Sequence, residues 1–302
     1  MTPENLVIYL AFGDKCISQA IYSLLTLVDV YGGNLPLKVR VYTDQPARFS
    51  WFVTRYRVET SLISAATMSE WHGPLKQPLR AKIRVVQDAL EAHVGNVLLL
   101  DSDTLVKKPL TSLFRAMSEG AIVMHRREYP LAQARKLNVG LCPEDFSLTL
   151  SNERTVTVND RSVMWNSGVI GLHSSRAGLI DRVLELDDLI YAKYPAWHIE
   201  QLSYSLILAA TGKLRGCPGF IFHYWSNKEI IEPYLAACHA LPTEVSEERL
   251  LEVKKLKRVH MAKVSLKYHS RRLKEGFRDL PGVYAAYRFL LSPFRKSNPV
   301  VR

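Results

Sequence analysis

A short run of aliphatic residues ends in two closely spaced carboxylates. Residues 97–100 read Val-Leu-Leu-Leu, and Asp101 and Asp103 follow with Ser102 between them. An aliphatic run without polar interruption is typical of a strand that is buried on both faces of a parallel sheet. In open α/β sheets, ligands bind beyond the carboxyl ends of such strands. The run therefore predicts an α/β fold with a binding site at the two aspartates.

The two carboxylates suit a divalent cation. Side chains alternate along an extended chain, so we expect Asp101 and Asp103 to point the same way. One hard cation can be held by both carboxylates, or by one directly and one through water, and it can bridge two phosphates. The alternative is that either residue forms an Asx turn or a helix N-cap at the end of the strand.

Strands and helices alternate along most of the chain, which indicates one continuous α/β domain. A β-α-β unit opens it, and a helix precedes the aspartates. A polar excursion without a clear period then separates a further strand from the Trp165–Leu172 segment. The expected strands are 6–12, 37–42, 97–100 and 121–125, the helices are near 17–28, 82–92 and 177–194, and the excursion is 126–163.

Composition is ordinary for a globular protein of 302 residues, with 47% hydrophobic and 23% charged residues. The four cysteines are scattered without a Cys-x-x-Cys pair, which argues against a zinc site or a disulfide framework. No apolar stretch reaches the roughly 18 to 20 residues of a membrane span, and residues 1–5 lack the basic start of a secretory signal. We therefore expect a cytoplasmic protein with reduced, mostly buried cysteines.

The excess positive charge is confined to the C-terminal part of the chain. Residues 249–302 contain 15 Lys or Arg and three Asp or Glu, whereas residues 1–248 contain 25 basic and 26 acidic residues. Because the body is neutral and the tail is basic, the function of the body and the partner of the tail are separate questions. We predict one α/β domain over 1–248 and a basic amphipathic extension over 249–302.

Several short motifs follow one another in an order that resembles a known family. They are Val41-Tyr42-Thr43-Asp44, Asp101-Ser102-Asp103, Asn166-Ser167-Gly168, Glu200-Gln201 and His223-Tyr224. This ordered set resembles the GT-A-fold glycosyltransferases and looks most like family 8, which includes glycogenin and bacterial lipopolysaccharide galactosyl- and glucosyltransferases. The resemblance covers roughly residues 5 to 228. It implies a Rossmann-like, mostly parallel mixed sheet with flanking helices, followed here by the basic helical tail.

By this resemblance, three residues are the expected ligands of Mn²⁺ or Mg²⁺ on a nucleotide diphosphate: Asp101, Asp103 and His223. An imidazole beside two carboxylates favours Mn²⁺ over Mg²⁺. A basic residue that stabilises the leaving diphosphate matches Lys228, although the surrounding residues depart from the family's Lys-Pro-Trp pattern. His223 considered alone is more often a structural histidine, and Lys228 a solvated lysine.

The resemblance also assigns residues to the donor sugar and its nucleoside. Glu200 and Gln201 occupy the place of the family's Asp-Gln pair, nearest the anomeric carbon. A Glu in place of Asp is one methylene longer, and first-turn acids also suit the helix dipole alone. The remaining expected donor-binding residues are Ala11, Phe12, Asp14, Asp44, Arg80, Lys82, Asp101, Ser102, Asn166, Ser167 and Gly168, with Tyr22 also near the nucleoside.

The tail is expected to contact a membrane surface. Its basic clusters alternate with aliphatic and aromatic residues, a composition that suits an interfacial helix on anionic lipid. Nucleic-acid binding is the competing use of the same charges, and a solvated helix packed on the body is the simplest alternative. We favour the membrane and expect no nucleic acid, because acceptors in the resembled family are often lipid-linked.

The sequence thus predicts a peripheral membrane glycosyltransferase that uses a nucleotide-diphosphate sugar, with a UDP-hexose as the first choice, to build a bacterial surface glycan or lipopolysaccharide. The acceptor is a glycan or a lipid-linked acceptor. The resembled family retains anomeric configuration, and the alternative is an inverting enzyme in which Glu200 is the base. Two alternatives stay open: a non-catalytic relative that binds nucleotide sugar or glycan, and a sugar nucleotidyltransferase. The latter needs a phosphate-cradling basic loop, of which Phe12-Gly13-Asp14-Lys15 is a poor version.

Overall fold

The computed structural model describes residues 4–136, 141–232, 235, 255, 257–263 and 265–267. The chain divides into two compact units, Met1–Lys254 and Lys255–Arg302. Among the described residues of the second unit, all are helical, and residues 249–254 and 268–302 of the predicted extension lie outside the described part. None of the described helices has the length and apolar character needed to cross a membrane.

The first unit is built on a mixed seven-stranded sheet. The described strands are β1 (Glu4–Ala11), β2 (Lys38–Thr43), β3 (Val58–Leu62), β4 (Gly95–Leu100), β5 (Thr104–Val106), β6 (Ile122–Pro130), β7 (Phe146–Thr149), β8 (Thr155–Val158), β9 (Val163–His173), β10 (Leu214–Gly216) and β11 (Ile221–His223). Their order in the large sheet is β10-β6-β9-β4-β1-β2-β3. Only β9 runs antiparallel to its neighbours, β4 and β6, so the predicted mixed, mostly parallel sheet is confirmed for the described strands.

Helices flank this sheet. They are α1 (Asp14–Val30), α2 (Ser50–Arg55), α3 (Ala65–His72), α4 (Arg80–Glu91), α5 (Thr111–Ser118), α6 (Leu131–Lys136), α7 (Gly178–Lys193), α8 (Ile199–Ala209) and α9 (Lys228–Ile231). The predicted stripe of α4 is buried as expected, since Ile83 and Val86 are inaccessible and Leu90 is nearly so. Burying one such face against the sheet is what stabilises an amphipathic helix in a protein of this class.

Strand β4 lies at the centre of the sheet, and all six of its residues are buried. It begins at Gly95, whose φ of 140° is unfavourable for other residues. A Cβ at this position would lie 2.3 Å from the backbone oxygen of Glu4 on the neighbouring β1. The glycine therefore allows β1 and β4 to pair closely, and the aliphatic run that follows fills the core between the helical layers.

Two local structures differ from the sequence expectations. The strand ends at Leu100, and residues 101–103 form a turn that is closed by the Thr104 hydroxyl donating to the Asp101 carbonyl at 2.8 Å. Asp101 and Asp103 therefore converge through a turn and not through strand alternation. In addition, the excursion 126–163 is largely ordered: β6 continues to Pro130, α6 follows, and β7 and β8 pair as an antiparallel hairpin.

The cysteine prediction is confirmed for the described residues. Cys16, Cys142 and Cys217 are free thiols, of which the last two are buried and Cys16 is partly buried. Burial raises the pKa of Cys142 to about 11 and that of Cys217 to about 12. These two thiols are therefore protonated and unreactive near neutral pH. Cys238 lies outside the described residues.

Candidate active site

Four elements of the large sheet and its flanking layer converge on one cavity. Strand β4 ends at Leu100, and the backbone N–H of Asp101 donates to the carbonyl of Gly168 at 2.9 Å. Because β9 is antiparallel to β4 and to β6, its early residues lie beside the end of β4 and the late residues of β6. The fourth element is α8, whose N-terminus also reaches the cavity. The carboxyl edge of the sheet therefore carries the site, as the sequence predicted.

The cavity has a volume of about 530 Å³, which is within the usual range for small-molecule sites. Its lining combines residues that the sequence predicted with residues that it missed. The predicted residues in the lining are Phe12, Lys82, Asp101, Ser102, Asp103, Asn166, Ser167, Glu200, Gln201, His223 and Lys228. The missed residues include Cys16, Gln19, Met68, His72, Glu128, Tyr129, Trp197, His198 and Trp225.

Asp101, Asp103 and His223 form a cluster that can hold a metal ion. One ligand atom from each lies within 4.8 Å of the other two. The Nε2 atom of His223 is 3.0 Å from Oδ1 of Asp103 and 3.7 Å from Oδ2 of Asp101. Strand β11 brings the histidine there by pairing with β5, where His223 lies opposite Thr104. Two carboxylates and an imidazole are a ligand set that fits Mn²⁺.

The other ring nitrogen of His223 is fixed by a neighbour on β9. Nδ1 lies 2.7 Å from Oδ1 of Asn166, which also accepts from the backbone N–H of Gly168 at 3.1 Å. Because this oxygen can only accept, Nδ1 carries the hydrogen, which leaves Nε2 as the ring nitrogen that would coordinate a bound cation. A metal-binding histidine usually has such a partner on its second nitrogen.

Gly168 makes room for the imidazole. A Cβ at this position would lie 2.1 Å from Nδ1 of His223, which is impossible without movement of the ring. The sequence suggested that the glycine lets the backbone approach the donor sugar. In the structure it does not line the cavity, and it allows the ring of His223 to lie against β9.

Two lysines neutralise the aspartates. Nζ of Lys82 is 2.8 Å from Asp101, and Nζ of Lys228 is 3.0 Å from Asp103. Burial opposes the ionisation of Asp103, yet hydrogen bonds and charges from His223 and Lys228 outweigh it and lower its pKa. Burial likewise opposes the charge of Lys82, but Asp101 and Glu200 raise its pKa overall. The site therefore holds paired charges of both signs at neutral pH.

Glu200 and Gln201 stand in the first turn of α8, as predicted, but their surroundings differ. Glu200 is 1% exposed, accepts from the Ser167 hydroxyl at 3.0 Å and lies 3.5 Å from Nζ of Lys82. Burial raises its pKa, although Lys82 opposes the shift. Gln201 donates from Nε2 to Glu128 at 3.0 Å, and its oxygen lies 3.5 Å from the backbone nitrogen of Ser167.

Glu128 is the most informative residue that the sequence reasoning missed. Its side chain is 8% exposed and accepts from Asn166 at 3.2 Å as well as from Gln201. It lies on the part of β6 that was read as an aperiodic excursion. Glu128 lies three residues beyond the predicted strand 121–125, and because β6 pairs with β9 it reaches the same edge of the sheet as Asn166.

Several expected donor-binding residues do not line the cavity. Ala11 and Tyr22 are buried in the core. Asp44 accepts from the backbone N–H of Gly13 at 3.0 Å, and Asp14 accepts from Gln45 at 3.1 Å. These contacts hold together the loops after β1 and β2.

Arg80 is also absent from the lining, in contrast to its neighbour Lys82. Its guanidinium binds Asp188 with two hydrogen bonds of 2.6 and 2.9 Å and donates to the Trp71 carbonyl at 3.0 Å. This bidentate pair connects α4 to α7. In the structure Arg80 therefore contacts the neighbouring helix and not the space beside the aspartates.

Two tryptophans in the cavity lining are unusually exposed. Trp197 is 64% exposed and precedes α8, and Trp225 is 47% exposed and lies between His223 and Lys228. Large apolar side chains that are exposed beside a polar cavity indicate a surface that binds a ligand or another molecule.

The arrangement can bind an anion-bearing ligand across a divalent cation. Asp101, Asp103 and His223 offer ligands, and Lys228 and Lys82 supply positive charge beside them. A carboxyl and an amide, Glu200 and Gln201, contact Ser167 in the same cavity. This combination suits charge neutralisation on a departing phosphate and stabilisation of positive charge on a neighbouring carbon.

Comparison with known proteins supports the fold. Neither the protein-family models nor the curated protein sequences contain a match. Among solved structures, a galactosyltransferase, LgtC, in complex with donor and acceptor sugar analogs is similar with a TM-score of 0.51 and 10% identity, over 80% of this chain and 98% of that chain. Mouse xyloside xylosyltransferase 1 in its apo form gives a TM-score of 0.45 and 12% identity, over 79% of this chain and 94% of that chain.

We infer the fold from the first of these similarities alone. At 10% identity it shows a shared architecture and does not transfer the activity or the substrates of the galactosyltransferase. The chain has the fold of that glycosyltransferase, and the predicted GT-A, Rossmann-like fold is confirmed.

Proposed function

We propose that this protein is a metal-dependent glycosyltransferase that moves a hexose from a nucleoside diphosphate sugar to a glycan or lipid-linked acceptor. The observation that carries the proposal is the cluster of Asp101, Asp103 and His223 beside Lys228 in a cavity of suitable size. The fold supports it, since the similar galactosyltransferase was solved with donor and acceptor sugar analogs. Because we propose that the basic tail contacts a membrane, we extend the proposal to the assembly of a surface glycan or lipopolysaccharide at a bacterial membrane.

The proposed donor site has an end for the diphosphate and an end for the sugar. A bound divalent cation, with Mn²⁺ as the first to test, neutralises charge on the diphosphate. Lys228 adds positive charge at the same end, next to Asp103. Asn166, Ser167, Glu200 and Gln201 line the same cavity, and we assign them to the sugar.

At the sugar end, Gln201 and Glu200 are proposed to act on the reacting carbon. As the bond to the diphosphate breaks, the anomeric carbon gains positive charge, which the amide oxygen of Gln201 stabilises. The Glu200 carboxyl is held behind Ser167 and Lys82, so it acts through its charge and is poorly placed as a base for the acceptor. Retention of anomeric configuration is part of this proposal.

The acceptor is proposed to pack against the exposed indoles of Trp197 and Trp225. Sugar rings present an apolar face of C–H groups and a rim of hydroxyls, and an indole offers a matching apolar face with a polar edge. Both tryptophans line the cavity that holds the donor site. A glycan acceptor fits this surface better than a small polar acceptor such as water.

A thermal-shift panel tests the function. UDP-sugars, GDP-sugars and CMP-sugars are added one at a time, each with and without Mn²⁺, to the wild type and to Asp103→Asn. Ligand at 100 times its Kd stabilises the folded state by about 2.7 kcal/mol. We expect at least one nucleotide sugar to raise the Tm of the wild type only when Mn²⁺ is present. The proposal is contradicted if none of the donors raises the Tm in either condition.

A further inference from the structure

Glu128 faces two amide side chains at once. Its Oε1 atom accepts from Nδ2 of Asn166 at 3.2 Å, and its Oε2 atom accepts from Nε2 of Gln201 at 3.0 Å. A carboxylate can only accept hydrogen bonds. Both amides must therefore turn their NH₂ groups toward Glu128 and their oxygens away from it. Arg126, at 3.9 Å, is too distant to compete for either oxygen through a hydrogen bond.

The two amides differ in how firmly they are held without Glu128. The oxygen of Asn166 has two further partners, His223 at 2.7 Å and the backbone N–H of Gly168 at 3.1 Å. The oxygen of Gln201 has, within the described part of the chain, one long contact of 3.5 Å to the Ser167 nitrogen. Asn166 would keep its orientation if Glu128 were changed, whereas Gln201 depends on Glu128 for its orientation.

We propose that Glu128 is a positioning residue that fixes the amide of Gln201 with its oxygen toward the donor sugar. The inference rests on the proposed function, in which that oxygen stabilises the positive charge of the reacting carbon. Glu128 acts through Gln201 and needs no contact with the substrate. Its second bond, to Asn166, joins β6 to β9 and holds the carboxylate in place.

The change Glu128→Gln tests the hydrogen-bond direction at nearly constant size. The new amide has one accepting and one donating end. Asn166 is firmly oriented and offers NH₂, so the new amide turns its oxygen to Asn166 and its NH₂ to Gln201. Gln201 must then rotate, which places its NH₂ where its oxygen was. We expect kcat to fall about 100-fold, as for loss of one electrostatic contact in an active site, with the Kd of the donor and of Mn²⁺ nearly unchanged.

A second change reverses the first. In the double variant Glu128→Gln with Asn166→Asp, the carboxylate and the amide exchange places. The carboxylate at position 166 accepts from His223 and from the NH₂ group of the new amide at position 128. The oxygen of that amide then faces Gln201, so Gln201 again turns its NH₂ group toward position 128 and its own oxygen away, as in the wild type. We expect the double variant to recover at least tenfold in kcat over Glu128→Gln. If Glu128 serves only the stability of the fold, the exchange restores its hydrogen bond to position 166 and recovers the Tm, because the two positions are coupled, but it gives no recovery of kcat through Gln201.

The measurements are kcat and donor KM for the wild type, both single variants and the double variant, with Mn²⁺ and donor Kd from calorimetry. Glu185→Gln is the matched control, since Glu185 also accepts two hydrogen bonds, both from Ser151 at the surface. Equal kcat for the wild type and Glu128→Gln, or a double variant no faster than Glu128→Gln, overturns the inference. Failure of the proposed function is distinct, because the wild type itself then releases no nucleoside diphosphate from any donor.

Discussion

Glu200 and Gln201 are neighbours in α8 that act at the same carbon by different means in our account. We expect Gln201→Ala and Glu200→Gln each to lower kcat more than they change donor affinity, because charge on the reacting carbon develops only in the transition state. Steady-state kinetics with varied donor measures both quantities. Gln87→Ala is a control, since Gln87 donates to Asp181 on the protein surface. A raised KM with unchanged kcat would make either residue a binding contact.

Asp187 is a buried acid behind the site, and its titration should affect stability. It is fully inaccessible, its Oδ1 accepts from Gln77 at 3.0 Å, and its Oδ2 has no hydrogen-bond partner among the described residues. Burial raises the pKa of Asp187 to about 8, and the charge of Glu200 adds to the shift. The side chain is therefore protonated in the folded protein at neutral pH.

The sign of the pH effect follows from this raised pKa. The unfolded chain releases the proton of Asp187 above about pH 4, whereas the folded chain keeps it up to about pH 8. The free energy of unfolding thus falls as the pH rises between these values, by up to about 1.4 kcal/mol per unit, and levels off above them. Asp187→Asn, which mimics the protonated acid, removes this loss.

Urea unfolding at about pH 5 and about pH 9 tests the effect. We expect Asp187→Asn to be more stable than the wild type at the higher pH, and the difference to shrink at the lower pH. Asp181→Asn on the same helix is the control, because Asp181 is exposed. A constant difference between Asp187→Asn and the wild type across the range would contradict the buried, protonated state.

At the scale of elements, a regular hydrophobic period predicted helices and strands correctly, whereas the sequence pattern did not predict the local turns. The stripe of α4, the helix near 177–194 and the aliphatic β4 were predicted because one buried face dictates their pattern. A turn at 101–103 was only an alternative in the sequence analysis, because Thr104, whose hydroxyl closes it, also fits an extended strand. Glu128 was missed for a related reason: Arg126 and Arg127 are exposed and end the apolar pattern of β6 before Glu128, which lines the cavity.

Among the candidate site residues, too, the structure brings some of the predicted ones together and leaves others apart. Residues that belong to ordered motifs, such as Asp103 and His223, were predicted and do meet in the structure. Arg80 was assigned by its position before the helix, and its guanidinium binds Asp188. Asp44 belongs to one of the motifs, and its carboxylate accepts from the backbone N–H of Gly13. Which partner a charged side chain chooses depends on tertiary contacts that no local pattern contains.

The connections before α8 and after β11 form the exposed wall of the cavity, and we expect them to select the acceptor. Trp197→Ala should raise the acceptor KM about tenfold, which corresponds to about 1.4 kcal/mol of binding energy. The donor KM should stay unchanged. Leu62→Ala is a control, because Leu62 is 68% exposed and does not line the cavity. If donor KM rises and acceptor KM does not, the indole contacts the nucleotide.

For the whole molecule, the separation of charge between body and tail is the main feature. The described helical part of the second unit carries Lys255, Lys257, Arg258, Lys263 and Lys267, and Leu266 there is 70% exposed. Basic residues near an anionic surface contribute roughly 1 kcal/mol each, an attraction that salt weakens. This composition supports the proposed contact with a membrane.

Removal of residues 249–302 tests that proposal. We expect the full chain, but not the truncated one, to sediment with anionic vesicles at low salt, and neither to sediment with neutral vesicles. Turnover of a soluble acceptor analogue should survive truncation. Equal sedimentation of both proteins, or of neither, would show that the tail is not a lipid anchor. Loss of turnover on the soluble analogue would place the tail in the catalytic unit.

Metal-dependent turnover is the most direct test of the central claim. Release of nucleoside diphosphate from a nucleotide sugar is measured against Mn²⁺ concentration for the wild type and for Asp103→Asn, with Asp145→Asn, at a surface ion pair, as control. Asp103 is 7% exposed and contacts His223 and Lys228, so the similar size of asparagine preserves the packing. We predict Mn²⁺-dependent release by the wild type and the control, and a loss of about 100-fold or more in Asp103→Asn, whose Tm falls because the pairing with His223 and Lys228 is lost but stays above the assay temperature. Undiminished release by Asp103→Asn at limiting Mn²⁺ would contradict the account.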